Sequence, residues 1–379
     1  GCSSLSSIDL PPTVTTIEAS TFSDCKQLES VGMGCGISIV ANSLFLNCER
    51  LSAITLPPSV RQIDHDAFRN CTALERVETS EPLALIANDA FENCKMLSRI
   101  DLGNVSSIGN DAFKNCTSLA TVNATQAGSI GTGAFEDCVS LSEVTLSPVL
   151  KTIGASAFKG CISLAAIDLP PSLTRIYDHA FEGCSSLRSI VIPSLVRQMG
   201  SDTFENCTSL DSVCVLGFVE KLESDVFRRC QSLRAVQLPI TLKSIGSEAF
   251  QECMSLSSID LPPSLATIGD NAFDKCTSLS AIVIPVSCTS IGGSAFRECT
   301  ALKRVDLPAT MKKIGGSAFA KCISLRDVYL ASPLPPSVAK TTFKGTVAAA
   351  CRFYVPRGAK ANYYNDKTWS KISSLYIEQ

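Results

Sequence analysis

Phenylalanine recurs in this chain at positions 22, 45, 68, 91, 113, 135, 158, 181, 204, 227, 250, 273, 296, 319 and 343. The step is 23 residues, with two steps of 22 and a last one of 24. Fifteen of the 17 Phe stand on this ladder, and Phe218 and Phe353 stand off it. A fixed period of this length marks a solenoid, in which each unit contacts only its neighbours. A length of 379 residues would otherwise suggest two or three domains. The period overrides that expectation and points to one continuous array.

Other columns keep the same ruler. Cys follows each Phe by three residues, from Cys25 to Cys322, and Cys2 belongs to a partial first coil. Leu follows each Cys by three, then Ile or Val by three more, then Leu or Ile by two, often with Pro behind it. An aliphatic precedes each Phe by five, as at Ile17, Ile63, Ile153 and Ile268. A unit this short cannot bury its own apolar face, so like residues must pile on like residues. The composition agrees: 45% of residues are hydrophobic but only 6% aromatic, a core of Leu, Ile and Val with one recurrent ring.

The alternating segment after each Leu predicts a short strand, pairing in parallel with its neighbours and ended by Pro. Gly after the second aliphatic, at Gly109, Gly154, Gly246, Gly269 and Gly292, predicts a turn with positive φ. The Ala-Phe segment predicts a single helical turn on the outer side. The fold class is thus an α/β repeat solenoid, with a parallel sheet on the concave face, short helical turns outside and a C-terminal cap. The solenoid occupies 1–330 in about fourteen or fifteen coils, roughly 70 Å long at strand spacing. An irregular last coil and the cap occupy 331–379. Within them 359–372 reads as a helix and 374–378 as a final strand. The clustered Tyr residues and Trp369 cover the open end or, alternatively, offer an aromatic binding patch.

The run Ile-Gly-x-x-Ala-Phe-x-x-Cys-x-x-Leu-x-x-Ile-x-Leu-Pro resembles the BspA-like, or treponemal-type, 23-residue leucine-rich repeat. The segment from Arg352 through Tyr363 and Tyr364 to Trp369 resembles the tails of such proteins in gut and oral anaerobic bacteria. The resemblance implies export to the cell surface or secretion, and a protein partner among extracellular-matrix or cell-surface proteins. For some members that partner is of fibronectin or fibrinogen type. The chain opens in mid-repeat, so an export signal and an N-terminal cap are expected upstream of Gly1.

Chemistry is hard to find in the residues. Only His65 and His179 are present, both beside an Ala-Phe pair and five coils apart, too far to share a triad. No phosphate loop, zincin motif or dinucleotide fingerprint occurs, and nothing singles out a glycosidase pair among the carboxylates. No cofactor is expected, and no metal, because no paired Cys-x-x-Cys occurs. A net charge of −3 offers no field for nucleic acid. No apolar run reaches the roughly 20 residues a membrane helix needs.

Fifteen of the 19 Cys share one column, where side chains of equal direction suit burial better than disulfides. They are expected to be reduced, buried thiols. Of the rest, Cys288 and Cys351 fall in core and cap, and Cys214 in an outward strand column; Cys35 takes a usual Pro position. Asn-x-Ser/Thr occurs at Asn70, Asn104, Asn115, Asn123 and Asn206.

The phase also names the outward strand column. It carries Asp9, Glu78, Asp101, Asp168, Asp260 and Asp306 and no basic residue, which reads as an acidic stripe for a basic partner or as a solvated face. Two adjacent coils break the polar rule. Val191 and Cys214 stand in the outward column, Leu216 replaces Pro, and Leu195 and Phe218 replace the usual Ser or Thr of the turn. They predict one exposed apolar patch, or else a local repacking that buries Phe218. The function expected is a non-catalytic binding or adhesion module, with a spacer of the cell envelope as the alternative and an enzyme a distant third.

Overall fold

In the computed structural model, residues 2–346, 351–373 and 376–379 are described. They fall into two compact units, Gly1–Leu187 and Arg188–Gln379, built from the same coil.

Most of the alternating segments form the expected strands, and those at 99–102, 166–169 and 258–261 do not. In the first unit Ser7–Asp9 pairs in parallel with Ser30–Gly32, Ala53–Leu56 with Arg76–Thr79, and Thr121–Ala124 with Glu143–Leu146. In the second, Ser189–Ile192, Ser212–Val215 and Ala235–Gln237 form one sheet. Ala281–Val283, Arg304–Leu307, Asp327–Leu330, Arg352–Val355 and Tyr376–Glu378 form another. Register sets equivalent positions side by side, so Ile190 faces Val213 and Val213 faces Val236. A slip of one residue would turn every core side chain outward, which the apolar columns forbid.

The coils from Ile39–Val40 to Lys313–Ile314 hold a second, two-residue strand that the sequence reading did not include. Val40, Ile63, Ile86, Ile108, Ile130, Ile153 and Ile176 stack in one parallel ladder of the first unit. Leu222, Ile245, Ile268, Ile291 and Ile314 do so in the second. The Gly residues after these strands were expected to supply positive φ, and they do not. Among glycines, positive φ belongs to Gly133, Gly160, Gly183, Gly345 and Gly358. The Gly column serves close approach between coils instead. A Cβ on Gly269 would lie 2.7 Å from the carbonyl carbon of Gly246 and the amide of Ser247. One on Gly292 would lie 2.5 Å from the carbonyl carbon of Gly269.

The Ala-Phe segment is not helical either. Residues two before and two after Phe take left-handed backbone, as at Asp66 (φ 53°) and Asn70 (φ 61°) around Phe68. Such residues break a right-handed run, and Asp, Asn, Ser and Gly tolerate them best. The freed amides bind across coils: Phe68 N donates to Ala90 O at 2.8 Å, and Phe91 N to Ala112 O at 2.8 Å. Helix occurs near the C-terminus, at Lys360–Asn365 and Trp369–Ile372. The single helix expected over 359–372 is divided at Asp366, whose extended backbone (ψ 133°) and side-chain bonds to the amides of Thr368 and Trp369 restart the chain. The last strand is Tyr376–Glu378. The expected start at 374 and 375 lies outside the described residues.

The core is a set of stacked columns. Phe rings of the first unit lie 5.2 to 5.7 Å apart, centroid to centroid, from Phe22 to Phe181. Those of the second lie 5.1 to 5.6 Å apart from Phe204 to Phe343. Beside them run the thiols. Cys71 Sγ donates to Phe45 O at 3.1 Å, and Cys253 Sγ to Phe227 O at 3.1 Å, a bond that recurs coil after coil. Burial pushes the thiols of Cys184 and Cys322 up to about 12. Cys2, expected to be buried with its column, is exposed.

Three of the aromatic residues near the C-terminus turn inward, while Tyr364 is exposed. Trp369, Tyr363 and Tyr376 are fully buried, and each donates to a backbone carbonyl: Pro336, Ser332 and Trp369 respectively. They leave no aromatic face free at those positions for a ligand.

Candidate functional site

The outer wall is occupied by its own ladders. In the first unit Asn47, Asn70, Asn93 and Asn115 each donate a side-chain amide to the coil before, at 2.7 to 2.9 Å. The sequons at Asn70 and Asn115 therefore fall on side chains already used in packing. In the second unit charges take over. Lys275 Nζ lies 2.7 Å from Glu252, and Lys321 Nζ 2.7 Å from Glu298. Asp274 is fully buried and receives both Arg297 Nε and a terminal nitrogen at 2.8 Å. His65 lies 3.8 Å from the Asp64 carboxylate, and His179 Nδ1 lies 2.8 Å from that of Glu182. Among the described residues no group of His, Cys, Asp or Glu is placed to hold a metal ion.

The strand face is more open, but its acidic column is partly neutralised. Period-two geometry sets residues i and i+2 on one face. Arg76 thus reaches Glu78 at 3.0 Å, and Arg304 reaches Asp306 at 2.9 Å. Asp9 lies over Gly32, whose Cβ would stand 2.2 Å from its carboxylate. Asp101, Asp168 and Asp260 are exposed, on extended chain outside the paired strands.

The off-pattern coils carry the clearest anomaly. Val191, Leu195, Leu216 and Phe218 are 52%, 48%, 52% and 54% exposed. Phe218 is therefore not absorbed by a pocket. Cys214, expected to be exposed, is half-buried because its Sγ bonds Gln237 Oε1 at 3.2 Å in the next strand. Strand register puts Val191 beside Cys214 and Cys214 beside Gln237. These border a shallow depression of about 430 Å³ floored by Ser189, Ser212 and Ala235.

The turn behind the strand explains why the side chains point out. Elsewhere in this unit its Ser or Thr hydroxyl donates to the coil before: Thr241 to Val219 O at 3.1 Å, Ser264 to Leu242 O at 2.8 Å, Ser287 to Leu265 O at 2.7 Å. A phenyl group cannot donate. The turns at Val196 and Leu242 close with an amide bond to Pro193 O and Pro239 O at 3.1 Å. The turn at 216–219 has no such bond among the described residues. Gly217 instead sits so near Val196 O that a Cβ would stand 2.4 Å from it. Phe218 is left over the surface, with the Arg197 guanidinium 5.7 Å from its ring centroid.

The structure extends this edge beyond the sequence reading. Ile240 and Val286, in the equivalent turns of later coils, are 79% and 73% exposed, and Val283 on the strand face is exposed too. At strand spacing the turns from Leu195 to Val286 span roughly 20 Å. Large exposed apolar groups clustered in one region are uncommon on monomers and mark interfaces.

A family model describing a BspA-type leucine-rich repeat region, in 6 copies, matches residues 1–120, 106–234 and 220–347. The chain belongs to the BspA-type leucine-rich repeat family. Among solved structures it is similar to a leucine-rich repeat protein from Bacteroides ovatus: 25% identity, 98% of this chain and 92% of that chain covered, TM-score 0.64. It is similar also to a leucine-rich cell surface protein from Faecalibacterium prausnitzii, with 26% identity, 77% and 82% covered, and TM-score 0.49. A leucine-rich repeat protein from Eubacterium ventriosum matches at 23% identity, 72% and 83% covered, and TM-score 0.50. No curated protein matches the chain. BspA-type repeats are a scaffold for protein interaction. Among the described residues no helix is long and apolar enough to cross a membrane.

Proposed function

We propose that this BspA-type chain is a non-catalytic binding module of the cell surface, holding a protein partner on the apolar edge around Val191, Leu195, Leu216 and Phe218. The observation that carries the reading is the exposure of Phe218, 54%, in a chain whose ladder of Phe rings from Phe22 to Phe319 is buried. Apolar groups left in water at the centre of an interface supply most of its binding energy. The acidic column is a weaker candidate, since Glu78 and Asp306 already have Arg partners. The outer wall is weaker still, because its polar groups are bonded to one another. A spacer role has no observation of its own in its favour.

The test follows from the geometry. Phe218→Asp removes the anchor and puts a charge in its place, at a site where no core contact is lost. Binding to immobilised fibronectin and fibrinogen, the matrix proteins the family resemblance points to, is expected to weaken at least about tenfold. The thermal midpoint should stay within a degree or two of wild type. An unchanged affinity with an intact fold would remove the edge from the account.

A further inference from the structure

Arg197 narrows the chemistry of the partner. Its guanidinium carbon lies 5.7 Å from the centroid of the exposed Phe218 ring. Among the described residues its side chain makes no ion pair. Cations on neighbouring coils of the same unit, by contrast, are paired: Lys243 lies 2.9 Å from Glu220 and Arg234 3.6 Å from Asp211. A guanidinium resting on a ring has already lost part of its freedom, so fixing it in a complex costs less entropy. Its donors form a planar fork that matches a carboxylate in bidentate fashion.

The setting decides which occupant fits. Val191, Leu195, Leu216 and Phe218 are on or beside the strand and turn that Arg197 follows. Covering them removes water from Arg197 as well. A wholly apolar occupant would leave a desolvated charge without a partner, which is costly. A cationic occupant would be repelled. An acidic one gains an ion pair in a medium of lowered dielectric.

We infer that the edge takes an apolar protein segment bearing an Asp or Glu close to its anchoring side chain, with the carboxylate closing on Arg197. This rests on the partner-binding reading of the edge.

The test uses a random twelve-residue peptide library displayed on phage and selected on the immobilised full chain. Selected peptides are resynthesised, and their Kd is measured on wild type and on Phe218→Asp, Arg197→Ala and Arg197→Glu, each checked for an unchanged melting profile. The expected peptides lose at least tenfold on Phe218→Asp and carry an acidic residue beside an aromatic or aliphatic one. Arg197→Ala should weaken them about tenfold, and Arg197→Glu should abolish binding. Replacing the peptide's Asp by Asn, or Glu by Gln, should cost affinity on wild type and none on Arg197→Ala. Peptides sensitive to Phe218→Asp but indifferent to Arg197→Ala would overturn this inference while leaving the binding edge intact. Peptides all indifferent to Phe218→Asp would overturn both. Sedimentation with phosphatidylglycerol vesicles that depends on Phe218 would assign the edge to a lipid surface and overturn the inference as well.

Discussion

Between pH 9 and 11 the protein is expected to unfold cooperatively, well before its lysines are fully neutral. The cause is the thiol column. An ordinary thiol titrates near 9.0, and burial raises Cys184 and Cys322 to about 12 and Cys71, Cys94 and Cys276 well above the ordinary value. The folded-state pKa is raised above the unfolded one. The stabilisation from keeping these thiols neutral is therefore whole below pH 9 and drains away as pH climbs towards the folded pKa. Above pH 9 the unfolded chain releases protons that the folded chain retains, so stability falls by up to about 1.4 kcal/mol per thiol per pH unit. Several thiols acting together exceed the 5–15 kcal/mol that typically holds a fold. Circular dichroism against pH checks this. Cys253→Ala, which removes one titrating group, should make the alkaline loss shallower although it costs stability at pH 7.

The second large effect is at Asp274 and Arg297. Asp274 is fully buried, with two bonds from Arg297 at 2.8 Å and one from Gln251 at 3.1 Å. Arg297→Met keeps the stem and removes the charge. It leaves the Asp274 carboxylate with only its Gln251 bond, and because Arg297 is itself 37% exposed the loss in denaturant unfolding should be about 1.5–3 kcal/mol, less than for a wholly buried pair. Asp274→Leu combined with Arg297→Met should recover most of that loss, because no charge is then left buried. The pair would then be a packing device whose removal as a unit is nearly neutral. A loss in the double variant as large as in Arg297→Met would contradict the assignment.

Much of the fold could be read from the sequence because each core column packs against copies of itself. Cys71 stacks between Cys48 and Cys94, so one residue type solves one steric problem many times. What escaped the reading depends on contacts between coils. The Gly246–Gly269–Gly292 column meets backbone of the neighbouring coil, and no property of a single coil reveals it. The left-handed residues flanking Phe were visible as Asp66, Asn70, Asp89 and Asn93, but the same polar residues also suit the helical turn they were assigned to. The second ladder of two-residue strands is too short to show a period. For the site, Val191, Leu195, Leu216 and Phe218 were legible as breaks in a rule. Ile240 and Val286 were not, because their turn position tolerates Pro, Gly or Ala and gives no rule to break. The pairing of Glu78 with Arg76 follows from period two, yet reading one column at a time hides it.

Native-state alkylation of Phe218→Cys, read by mass spectrometry, tests the central claim that one register separates a sealed interior from an open apolar edge. Iodoacetamide at pH 8 is predicted to label position 218 quickly, together with Cys2 and Cys35, and Cys214 more slowly. The buried column from Cys25 to Cys322, with Cys288 and Cys351, should stay unlabelled until the chain is unfolded. A protected position 218, or column thiols that label as fast as Cys35, would contradict the account.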